Sequence, residues 1–95
     1  MTLSEFKDSI KLSSPPHSID PLLKSLWYDA KGNWNDAHNV AQDIHSKNGS
    51  WIHAYLHRKE GDLGNASYWY HRADKLVPKT PLEEEWEDIT RALLE

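Results

Sequence analysis

The sequence predicts an all-α fold of about six helices, and three observations carry that prediction. Apolar residues recur at helical spacing along the chain, no apolar and polar alternation lasts long enough for a strand, and helix entry and exit signals follow one another at short intervals. With 95 residues there is room for one core, which all the helices must share. The expected organisation is an N-terminal helix over 2–13, a first antiparallel helical hairpin over 20–48, a second over 50–77 and a C-terminal capping helix over 80–95. The first and last helices are expected to cover the ends of the two hairpins.

Thr2 and Glu5 form a capping box, and Leu3, Phe6 and Ile10 follow on one helical face. Pro15-Pro16 ends this segment by removing backbone donors. Asp20 caps the second helix with Pro21 at its first position, and Leu22, Leu23, Leu26 and Trp27 point inward until Gly32 stops it. Asn33 caps the third, whose inner stripe is Trp34, Ala37, Ala41 and Ile44, with His38 and His45 beside it. Asn48-Gly49 is expected to end it in a left-handed turn, and Ser50 to cap the fourth helix, which runs to Lys59 or Glu60 and stops at Gly61. Asp62 or Asn65 caps the fifth, through Tyr68, Trp69, Tyr70 and Ala73 to about Leu76. The sixth starts from Thr80 as cap, Pro81 and Glu83, and carries Leu82, Trp86, Ile89 and Leu93 on one stripe.

Composition excludes several classes. The chain has no cysteine, so neither disulfides nor thiolate metal sites are available, and its apolar runs are far too short to span a membrane. Absence of a leader-like start makes the cytoplasm the default location. A net charge of -4 argues against nucleic acid as a partner. That charge is unevenly placed, with acids concentrated after Thr80 and bases outnumbering acids between Lys47 and Lys79.

The chain also repeats. Gly32 and Ala37 recur as Gly61 and Ala66, each after 29 residues, and each pair punctuates a helical hairpin. Ala54, Gly61-Asp62, Ala66, Tyr70, Ala73 and Pro78 resemble the small, turn, aromatic and proline positions of a tetratricopeptide repeat. Tyr28, Gly32, Asn33 and Ala37 keep part of that pattern in a shorter first copy. The resemblance spans roughly residues 18–80 and implies stacked hairpins used for recognition. The run W-x-H-A-Y-L-H-R-K-E-G-D with N-A-x-Y-W-Y-x-R-A also resembles short proteins without an assigned activity, which implies no chemistry.

Functional candidates concentrate between Trp51 and Lys75. In the repeat register Trp51, Tyr55, Arg58 and Lys59 face a concave side, where aromatic bodies with cationic ends suit a peptide, a protein or a small anionic ligand. The alternative is that Trp51 and Tyr55 pack under the first or last helix. Tyr68, Trp69 and Tyr70 cannot all face one core, so Tyr68 with Arg72 is a candidate contact to a partner or to a second copy of the chain. Trp34 and Trp69 are expected inside.

His53 and His57 lie about 40° apart on one helical face with Glu60 three residues on, a set that can hold a divalent metal, with His38, His45 or His71 as a further ligand. An isolated H-x-x-x-H arises often by chance, so the histidines are expected first as architectural groups bonded across the hairpin. No cofactor is required by the sequence. No nucleophile elbow or phosphate loop is present, and a general acid-base site of His53, His57, Glu60 and Asp62 would have no identifiable substrate. The expectation is a non-enzymatic binding module using the central hairpin, with a small metal protein or enzyme as the alternative.

Overall fold

A computed structural model describes residues 1–95 and contains six α-helices and no strand. They are α1 (Leu3–Ser9), α2 (Pro21–Ala30), α3 (Trp34–Gln42), α4 (Lys47–Glu60), α5 (Leu63–Arg72) and α6 (Leu82–Leu94). Most of the entry signals act as the sequence predicts. The Thr2–Glu5 capping box closes in both directions, the Asp20 side chain accepts from the Leu22 N–H, and Asn33 and Asp62 cap α3 and α5. Gly32 and Gly61 take left-handed conformations at φ 82° and 90°, which lets the chain reverse between α2 and α3 and between α4 and α5.

Four boundaries differ from expectation, the first being the end of α1, which stops at Ser9 and leaves the following residues in turns and bends. Asn48-Gly49 does not end α3, which stops at Gln42. Ser46 instead caps α4 by accepting from the Gly49 N–H at 3.0 Å, so Asn48 and Gly49 lie in the first turn of α4. Glycine is needed there for proximity rather than for a left-handed turn, because a Cβ on Gly49 would stand 2.2 Å from the Ile44 carbonyl oxygen. Helix α5 ends at Arg72, not near Leu76, because Asp74 turns the chain at φ 61°, leaving Leu76 93% exposed. Pro81, not Thr80, is the cap of α6. Its ring offers no acceptor, so the helix has no side-chain cap, and the first turn relies on Glu83, Glu84 and Glu85 against the helix dipole.

Helices α2 and α3 pack together, as do α4 and α5, and α3 joins the two pairs by packing on α4. Helix α6 lies across both α2 and α4, and α1 packs on α6 rather than closing a separate end. Phe6 stacks on Trp86 with ring centroids 5.7 Å apart, and Lys7 pairs with Glu87 at 2.9 Å. The core beneath gathers Leu22, Leu26 and Trp27 from α2, Ile52, Tyr55 and Leu56 from α4, and Trp86 and Ile89 from α6. A radius of gyration of 12.3 Å matches the about 12.4 Å expected for a folded chain of this length, so the terminal helices are part of the globule.

Alanines set how closely the helices approach. Ala37 and Ala41 on α3, Ala54 on α4 and Ala66 on α5 are all buried, and Ser25 on α2 reaches the Ala37 carbonyl at 2.7 Å. Tryptophans then tie elements together through their indole N–H groups: Trp27 to Ser9, Trp34 to Leu56 and Trp86 to Leu26, each on a backbone carbonyl. No helix is long and apolar enough to cross a membrane.

Replacing Gly49 by alanine forces the start of α4 away from Ile44. Gly49→Ala is expected to lower stability by about 1–3 kcal/mol in urea unfolding, the range of an overpacked contact, while Gly64→Ala, which meets open space, is expected to leave it unchanged or slightly raised.

Candidate metal centre

Helical periodicity places three imidazoles between α3 and α4. Trp34 and His38 share a face of α3, and His53 and His57 share a face of α4, each pair one turn apart. The His38 and His53 Nε2 atoms stand 2.9 Å apart, and ligand nitrogens of His38, His53 and His57 all lie within 4.8 Å of one another. Aromatic walls hold the rings. His38 stacks on Trp34 at 4.8 Å between centroids, and His53 stacks on Trp69 of α5 at 4.1 Å. His57 Nδ1 meets Glu60 Oε1 at 3.0 Å, so a carboxylate stands behind that ring.

The environment disfavours protonation of His53 and His38. His53 is 7% exposed, and burial, followed by the nearby His38 and His57, pushes its pKa down to about 4. Burial and His57 lower that of His38 too, against an opposing pull from Glu60. Two neutral imidazoles at 2.9 Å share one proton, one ring donating and the other accepting.

The sequence grouped His53 and His57 with Glu60, whereas the structure places Glu60 with His57 and Asp62 and sets the two histidines with His38, which entered only as one of three optional ligands. Of the other two, His45 and His71 are both exposed and outside the cluster. The available signal was the position of His38 beside the buried stripe of Ala37 and Ala41, one turn after Trp34. Asp62 groups with His57 and Glu60, their ligand atoms lying within 4.8 Å of one another, but its side chain also caps α5.

The cationic and aromatic candidates sit elsewhere. Trp51, Tyr55, Arg58 and Lys59 make their polar contacts inside the chain, on two buried carboxylates from α6 and α2. Glu85, 2% exposed, accepts from Trp51 Nε1 at 3.1 Å, from Arg58 Nη1 at 2.8 Å and from the Tyr70 hydroxyl at 2.6 Å. Arg58 also donates to the Thr80 carbonyl. Asp29 accepts from the Tyr55 hydroxyl at 2.8 Å and from Lys59 at 2.9 Å. Burial, reinforced by these carboxylates, raises both phenol pKa values, so the two tyrosines remain donors. Lys75 lies over the Trp51 ring at 4.2 Å. Tyr68 is 53% exposed and receives a hydrogen bond from Arg72 at 3.0 Å, so this pair alone among the six makes no hydrogen bond to a buried carboxylate. Sequence reasoning missed Glu85 and Asp29, because a carboxylate among surface-type neighbours on an amphipathic helix carries no mark of burial.

Protein-family models, curated proteins and solved structures were all compared with the chain. None of them matches.

Two expectations follow from this geometry. Glu85→Ala leaves Arg58 buried without its carboxylate and is expected to lower stability by about 3–5 kcal/mol, against less than about 0.5 kcal/mol for Glu83→Ala on the exposed side, by denaturant titration. Because the folded His53 pKa lies below its ordinary 6.5, the unfolded chain takes up a proton first as pH falls. Metal-stripped protein is therefore expected to lose stability between pH 6.5 and about 4, and the slope in that window should shrink in His53→Gln.

Proposed function

We propose that the protein binds a divalent transition-metal ion of the zinc class through His38, His53 and His57. The observation that carries this reading is the convergence of three ligand nitrogens, from two helices, within 4.8 Å of one another. Zinc bonds of about 2.0–2.1 Å in tetrahedral geometry separate ligand nitrogens by about 3.4 Å. The 2.9 Å and 4.8 Å limits bracket that separation, so modest ring movements suffice.

Electrostatics supports the same reading. His38 and His53 disfavour added protons, and neutral imidazole is the form that coordinates a metal. Glu60 accepting from His57 Nδ1 favours the tautomer that leaves the Nε2 lone pair free for a metal, the usual support for a ligating histidine. Three protein ligands leave a tetrahedral position for water or for a small molecule, and a metal held this way lowers the pKa of its water.

Recognition of a protein or peptide is the second reading, favoured by the surface pair on α5. Arg72 lies over the Tyr68 and Trp69 rings at 5.9 and 5.6 Å, an arrangement that presents an aromatic body and a cation together.

Thermal unfolding of metal-stripped protein tests the first reading. One equivalent of zinc or nickel is expected to stabilise it, by about 2.7 kcal/mol at 100 times the dissociation constant. His38→Ala and His53→Ala should abolish the effect, and His45→Ala and His71→Ala should retain it. Equal stabilisation of His38→Ala and the parent protein would refute the site.

A further inference from the structure

A separate cavity of about 200 Å³ opens where α3 ends and α4 begins, with His53 in its wall. We infer that this cavity binds a small phosphate-bearing molecule. Its lining includes His45, Lys47 and Arg72 together with the hydroxyls of Ser46 and Ser50, and no lining residue is Asp or Glu. In a chain of net charge -4 that is a marked local reversal of sign.

The basic side chains there are weakly engaged. Arg72 forms no ion pair, its hydrogen bond going to the Tyr68 hydroxyl. The carboxylate contact of Lys47 is to Asp74 at 3.6 Å, with both side chains largely exposed, a pair of little net strength. The 14-residue α4 also starts at this cavity, so its dipole adds to the field of the side chains.

Phosphate is the anion this set fits. A singly charged carboxylate is matched by one cation, whereas a phosphate monoester carries close to two charges and three acceptor oxygens, which two flexible cations and neighbouring hydroxyls can meet. The acidic remainder of the surface disfavours a long polyanion, and the cavity's size confines the ligand to a small molecule. Because His53 belongs to both the cavity wall and the imidazole cluster, a ligand here sits one side chain away from the proposed metal.

The test uses metal-stripped protein, so that it stands apart from metal binding, and follows backbone amide resonances during titration with inorganic phosphate and, separately, acetate. Saturable shifts at residues 45–50 and at Trp69 and Arg72 are expected, with phosphate bound about tenfold or more tightly than acetate. Lys47→Ala combined with Arg72→Ala, both at exposed positions, should weaken phosphate by about tenfold or more in a protein that remains folded and still responds to zinc. Unsaturable shifts, equal affinity for the two anions, or full affinity in the double variant would overturn the proposal. Loss of the zinc response in the parent with phosphate binding intact would sink the metal reading alone.

Discussion

The carboxylate of Glu85 is the constraint around which the helices arrange themselves. It enters the core from α6 and accepts hydrogen bonds from Trp51 and Arg58 of α4 and from Tyr70 of α5, so three helices meet on two oxygen atoms. A buried charge is tolerable only when it is paired and its lone pairs are filled, and no buried side-chain nitrogen or oxygen in the protein lacks a partner. Asp29 plays the matching part between α2 and α4 through Tyr55 and Lys59. The two carboxylates together use much of the polar chemistry of α4, so that its aromatic and basic residues contribute to holding the fold.

Helix α4 is thereby enclosed on several sides. Residues 52–57 are buried without interruption, a run that a surface helix with one apolar stripe does not show. One side meets the carboxylates of α2 and α6, and another meets α3, where His53 and His57 face His38. The imidazole cluster therefore stands on a rigid support, with Trp34 and Trp69 fixing two of its rings. Such support is what a metal centre requires if its ligands are to hold their geometry.

Much of the architecture was legible because it is written in local chemistry. Caps at Thr2, Asp20, Asn33 and Asp62, and reversals at Gly32 and Gly61, depend on residues within a few positions of each other. The errors came where a distant or competing contact decides. Asn48-Gly49 has the composition of a helix stop, but Ser46 offers a cap and Ile44 demands a residue without a side chain. Pro81 follows a threonine suited to capping, yet the proline itself adopts the extended cap conformation. In the candidate site, His53, His57 and Glu60 were readable from one helix, whereas the place of His38 depends on how α3 packs on α4. Burial of Glu85 depends on α6 crossing the chain, which periodicity alone does not reveal.

The pairing of α1 with α6 changes how the molecule comes apart. A stack of hairpins has mostly local contacts and can lose its outer units one at a time. Here the first helix rests on the last, through Phe6 on Trp86 and Lys7 on Glu87, and the Trp86 indole reaches back to Leu26. Releasing α6 uncovers faces of α2 and α4, and releasing α1 uncovers Trp86 and the face of α6 beneath it. The chain is thus closed like a ring rather than stacked like a ladder, an arrangement that favours cooperative unfolding over fraying from one end.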